Sequence, residues 1–565
     1  MEIRRSDAVH WRATRETVAI RLIWLLNDFD LLSVLLHAVT LSFEALLVGG
    51  VLFLVTAAWP AQANAAALRA CRKGIMWTAG AMIAAVCCSV AVETAILVGN
   101  ANVTVTDALT GSSLIAATCA ALFALALLVL VRRADRTSTL PGLASLGMQT
   151  LLLVCGLGVT AAEVGQSHAM SRLDHRALLV ALTALHHLGT AAWIGAMPFL
   201  LATLRRTDDT DIAQRVVARF SRMALAGAAM LIGGGVGMAW LYIGTPSGLY
   251  GTGYGVLVMV KACLLALILM LGASNWYIQR EIVRAPGPLL LRLRRFAEVE
   301  IGLGFTAILA AAALTSQAPA IDMVQDRVTM PEIEARLHWE APRLKSPPLA
   351  SLVPPTPLAE AVQHARFSGP APSDANDSAW SEYNHHWAGL VVLLAGALAL
   401  ASRFRRLAWA RFWPVSFAGL AAFIVLRADP ENWPLGPRPF WGSLFAPDVV
   451  VHRAAALLVL LFAAFECAVQ AGRLRARWAR YAFPLMCAVG AALLLTHNHG
   501  SGDAKEELLA GMNHSALALF AVIAGWARWL ELRLPERGRE RAVAGYVWPL
   551  ALMLVAMVLL DYREM

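Results

Sequence analysis

The chain has 565 residues, 58% of them hydrophobic and 15% charged, and its mean hydropathy of +0.61 reflects apolar runs that recur at the roughly 20-residue length needed to cross a bilayer. Its formal charge of +9 does not point to nucleic acid, because the arginines sit in short clusters between apolar runs, where membrane topology accounts for them. The composition therefore describes a polytopic membrane protein embedded in a lipid bilayer.

In chain order, residues 1–30 mix arginines with acids around a short apolar stretch and read as an interfacial segment, not a cleaved signal peptide. Apolar runs then predict about fourteen spans. Spans one to four lie near 31–57, 74–98, 113–131 and 143–165, and form a first four-helix membrane unit over 31–176. Four more, near 177–203, 221–244, 254–276 and 297–317, form a second unit over 177–317. A proline-rich segment over 318–384 reads as an external linker or docking loop. The remaining spans, near 385–402, 411–427, 449–471, 480–496, 508–530 and 543–561, make a C-terminal six-helix module over 385–565. The expected fold is an all-α transmembrane bundle, with a tandem four-helix repeat as an open reading.

Basic clusters such as Arg69/Arg72/Lys73, Arg205/Arg206, Arg292/Arg294/Arg295, Arg403/Arg405/Arg406 and Arg537/Arg539/Arg541 alternate with poorly basic connections, which places both termini outside. Arginine- and alanine-rich composition suggests a bacterial chain, so that outside is the periplasm and the membrane is the inner one. On this topology every histidine falls in an outer connection or the outer half of a span, whereas the cysteines lie in spans or on the inner side. Disulfides are not expected.

Several outer histidine groups stand out. The most specific is His497-Asn498-His499, followed by Met512 and His514 across a short loop, with His452 at the same depth. A second is His186-His187 with His37 as its counterpart in the repeat; adjacent helical residues point about a hundred degrees apart, so one ring of the pair faces the bundle interior. His385-His386 is a third. Glu44, Glu93 and Lys261 are ionisable groups inside spans, which are functional candidates by default. Imidazole and thioether ligands at an oxidising face suit copper better than magnesium or calcium, although zinc accepts the same imidazoles. No Ser/His/Asp or His-Glu-x-x-His constellation is present, so no enzyme activity is expected.

The block from His186 through Trp193-Ile194-Gly195, Arg219-Phe220-Ser221-Arg222, Gly235-Val236-Gly237, Tyr254-Gly255, Lys261 and Asn275 resembles the copper resistance D (CopD/PcoD) family of bacterial inner-membrane proteins. The C-terminal third looks like the extension of its longer members. The resemblance implies binding of copper at periplasmic-face histidines, with passage across the membrane or delivery to cuproproteins, and a periplasmic copper chaperone or cuproprotein as partner. The alternative from a different class is an integral b-type haem redox protein, in which paired histidines from separate helices ligate haem b.

Overall fold

The computed structural model describes residues 29–100, 104–136, 146–281, 286–348, 375–445, 447–496, 504–536 and 538–563. The N-terminal interfacial segment expected over 1–30 lies almost wholly outside them, as do His497 and His499. Among the described residues, thirteen helices are long and apolar enough to span a membrane, and no strand is formed. The fold is therefore the expected polytopic helical bundle, with one difference. The span expected near 480–496 is an α-helix of 13 residues, Ala482–Leu494, led in by a 3-10 turn at Arg477–Tyr481. It is not among the thirteen.

The chain divides into two compact units, one of residues 1–244 and 265–318, the other of residues 245–264 and 319–565. The first contains α1 (Phe29–Phe53), α2 (Ala65–Asn100), α3 (Ser112–Arg136), α4 (Leu146–Val164), α5 (Arg176–Thr190), α6 (Met197–Leu204), α7 (Thr210–Ile243), the later half of α8 (Gly253–Glu281) and α9 (Pro286–Thr315). Helix α1 is its axis. In the span Leu32–Ala58, 67% of the most apolar window is buried, against 17% for the α2 span Ala65–Val98, because α1 packs on α2, α4, α9 and the segment joining α5 to α6.

That joining segment, Ala191–Gly195, is a π-helical turn. Pro198 has no N–H to give the carbonyl four residues earlier, so the α-helical register must break here, and a wider turn absorbs the break. The turn lies directly on α1. A Cβ on Gly195 would stand 1.9 Å from the Ala45 carbonyl oxygen, and one on Gly49 would stand 2.4 Å from that of Ala191. Backbone meets backbone at this crossing, as small residues allow between membrane helices.

At the arginine-bearing end of the unit the helix termini are tied down. Asp209 caps α7 by accepting from the Asp211 and Ile212 N–H groups at 2.8 and 3.1 Å. Glu298 pairs with Arg205 at 3.3 Å and Arg295 at 2.5 Å.

The second unit contains α10 (Met330–Leu337), α11 (Ala375–Ala401), α12 (Val415–Arg427), α13 (Pro447–Gln470), α14 (Ala482–Leu494), α15 (Ala504–Arg533) and α16 (Arg539–Leu560). Its core is aromatic: Trp413, Phe483 and Trp548 stand 5.0 to 5.6 Å apart, centroid to centroid, with Phe462 alongside. Buried beside them, Glu531 accepts from Trp548 Nε1 at 2.8 Å and pairs with Arg403 and Arg528.

Part of the segment expected to be a linker is built structure. Helix α10 packs Ile333 against Leu508 and Leu509 of α15. Glu332 reaches back to the Thr329 N–H at 2.6 Å, as in a capping box, and to Lys505 at 3.0 Å. The backbone N–H and hydroxyl of Thr329, together with Lys505, hold the Glu332 carboxyl down at about 2.

Candidate functional site

The histidine-bearing half of the first unit gathers the polar groups. His187, in the last turn of α5, places Nδ1 2.9 Å from Oε2 of Glu44 on α1, a carboxyl only 3% exposed. A carboxylate can only accept, so Nδ1 donates, and Nε2 becomes the nitrogen that carries the lone pair. His186 is oriented by the same logic: its Nδ1 donates to the Leu231 carbonyl of α7 at 2.8 Å. Gly234 and Gly235 make room for it, since a Cβ on either would lie within 3.2 Å of His186 atoms. An imidazole that gives one N–H to a carboxylate or carbonyl is the arrangement metal-ligating histidines adopt, because the outer bond fixes the tautomer and raises ligand basicity.

Around this pair the unit adds further groups. His37 on α1 is within electrostatic reach of both His187 and His168. His168 is itself held by the Thr315 carbonyl at 2.6 Å. Glu163 of α4, 4% exposed, lies within electrostatic reach of Glu44 and His187. Glu44 Oε1 and Glu163 Oε1 are both buried without a hydrogen-bond partner among the described residues. Two carboxyl oxygens thus remain unsatisfied beside three imidazoles, in a place where isolated charge is costly. No three His, Cys, Asp or Glu side chains among the described residues form a ready metal cage.

The other sequence candidates have different surroundings. Glu93 of α2 and Lys261 of α8 make no ion pair among the described residues, and Lys261 belongs to the second unit. In that unit His386 is 5% exposed and both its nitrogens are engaged: Nδ1 accepts from the Arg343 N–H at 2.7 Å, and Nε2 donates to the Tyr562 carbonyl at 2.9 Å. Both bonds tie the ring into the fold of the second unit. Replacing His386 with Ala orphans an N–H and a carbonyl and is expected to cost about 1–3 kcal/mol, read as a lower melting temperature of the detergent-solubilised chain; an unchanged melting temperature would show that water replaces both bonds.

His385 bonds the Ser381 carbonyl at 2.8 Å and stacks on Tyr562 at 3.8 Å, while His514 is buried with its ring 6.4 Å from the same tyrosine. His452, 46% exposed, bonds Asp429 at 2.8 Å. Met512 packs into the apolar cluster of Val256, Ile333 and Leu508.

One group was missed by sequence reading. Glu300, near the middle of the span Leu289–Thr315 and 2% exposed, accepts from Trp193 and from Asn275 Nδ2. The signal was available, since Glu300 is an acid inside an apolar run; it lies close to the arginines and Glu298 that mark the helix entry, and was absorbed into that cluster.

Residues 214–314, which include Asn275 and Glu300, match the copper resistance protein D (CopD) family. The chain is also similar to the copper transport protein CutJ of Bacillus subtilis (strain 168), at 26% identity over 175 residues. That stretch is 30% of this chain and spans 31% of the relative's length. No solved structure matches. The thirteen apolar helices make the chain a multi-pass membrane protein, and residues 214–314 of it are similar to the copper resistance protein D family.

Proposed function

We propose that the chain handles copper in the bacterial inner membrane, taking the ion at the outer end of the first unit and passing it inward or to a periplasmic cuproprotein. The observation that carries this reading is the buried Glu44–His187 bond. It supplies an imidazole oriented for a metal, with His186 beside it in chain and His37 within electrostatic reach. Copper is the cargo here. A bound copper ion takes Nε2 lone pairs, and the carboxylates Glu44 and Glu163 offset its charge in a medium of low dielectric. His497, His499, His514, His452 and Met512 form a second proposed copper site, and His385 accompanies them at the outer end of the second unit. The match of residues 214–314 to the copper resistance protein D family and the similarity to a copper transport protein support copper over other metals.

The test is copper content and uptake in membrane vesicles of known orientation. Replacing His187 and His37 together with Ala is expected to lower bound copper and uptake by about tenfold or more, the scale on which metal sites lose affinity when ligands or their supports go. Wild-type levels in that variant, or a reducible haem spectrum in place of copper, would overturn the assignment.

A further inference from the structure

Glu300 lies deeper than the imidazoles. Its helix enters the membrane at Arg292, Arg294 and Arg295, so it occupies the arginine-bearing half of the first unit, whereas Glu44 and His187 occupy the histidine-bearing half. Its carboxylate meets two neutral donors, the Trp193 indole and the Asn275 amide. Trp193 is presented by the π-helical turn that packs on α1, and Gly272 leaves ordinary contact room over both Trp193 and Glu300.

The titratable side chains on the packed elements are few. Over its span α1 carries His37 and Glu44; the π turn and α6 carry none; α8 between Leu265 and Ile278 carries Tyr277. On α9 itself, Glu298 is taken up by Arg205 and Arg295, and Arg294 donates to the Leu204 carbonyl. No cation is paired with Glu300 among the described residues.

A buried carboxylate without a counter-ion is an expensive arrangement to keep permanently charged. A permanently neutral acid would in turn need an acceptor for its O–H. The site offers both. Asn275 donates through Nδ2 in the arrangement described, and its Oδ1 is buried with no hydrogen-bond partner. A half-turn of the amide presents that oxygen to a protonated carboxyl, while Trp193 remains a donor to the carboxyl group.

We propose that Glu300 is a proton-binding station in the inner half of the first unit, taking up and releasing H+ with Asn275 as the amide that serves both states. The step is a simple protonation, in which carboxylate and H+ give the acid without any redox change. This inference does not depend on the copper assignment, and among the described residues no hydrogen bond or ion pair joins Glu300 to a proposed copper ligand. It gives an ion-coupled carrier a place for its proton.

The experiment is a pH titration by infrared spectroscopy of the full chain in lipid nanodiscs, following carbonyl bands of protonated carboxyl groups. Wild type is expected to show a titrating band that Glu300→Gln lacks, with the other bands unchanged. Asn275→Leu and Glu300→Asp are expected to keep a titrating band at a shifted frequency, because the carbonyl stretch reports its hydrogen bonds. Superimposable titrations of wild type and Glu300→Gln would overturn the proposal. If Glu300→Gln does not fold, the same band unmoved in both Asn275→Leu and Glu300→Asp would overturn it instead.

Discussion

Gly195→Ala is expected to prevent the first unit from folding, or to leave it unstable enough to be lost on solubilisation. The added methyl would stand 1.9 Å from the Ala45 oxygen and 2.4 Å from the Ala45 carbonyl carbon, and both are backbone atoms of the central helix. When side chains can shift, overpacking costs about 1–3 kcal/mol and occasionally more. A main-chain carbonyl in a helix cannot turn aside without breaking its own hydrogen bond, so the upper end of that range or beyond applies. Gly49→Ala meets the same crossing from the other side and is expected to behave alike. Gly233→Ala is the control, since a Cβ there meets nothing within 4 Å and alanine favours a helix over glycine. Thermal melting followed by size-exclusion chromatography checks the comparison: equal melting of the Gly195 and Gly233 variants would show that the π turn and α1 move apart at little cost.

Glu44→Ala is expected to weaken copper binding by about 10–100-fold, the usual effect of removing the group that orients a ligating histidine. The substitution leaves the His187 Nδ1–H without its 2.9 Å acceptor and frees the ring to turn. It also removes half of the carboxyl pair that would balance an incoming cation, the other half being Glu163. Glu44→Gln separates these effects, because the amide oxygen still accepts from Nδ1 while the charge is gone; an intermediate loss is expected. Competition with a calibrated copper chelator gives the affinities. Unchanged affinity in Glu44→Ala, with the fold intact, would reduce the Glu44–His187 bond to a helix tie.

The Glu44 prediction illustrates how far sequence reading reaches. Both residues were visible as candidates, because a histidine pair at the mouth of an apolar helix and an acid inside one stand out against a background that excludes polar groups. Their partnership was not visible: Glu44 and His187 are 143 positions apart, and the bond depends on the register at which α5 meets α1. That register is set by the glycine crossing at Gly49 and Gly195, which local pattern does not encode. His386 shows the reverse case. As one of two adjacent histidines it resembled a ligand, yet its ring nitrogens serve Arg343 and Tyr562, residues 43 and 176 positions away.

What the sequence by itself determined is the class of the molecule: a membrane bundle, its spans and the proposed sidedness of its histidines and arginines. These follow from the cost of placing polar groups in hydrocarbon, which acts on each segment separately. The short Ala482–Leu494 helix departs from the expected spans because an apolar run bounds helix length without forcing it. Only the tertiary structure decided which polar groups meet. Buried groups must find partners across helices, and those partners are chosen by packing. It turned His187 toward Glu44, engaged both nitrogens of His386, gave Glu332 to Lys505, and brought Trp193 and Asn275 to Glu300, an acid that its own stretch of sequence had concealed among arginines.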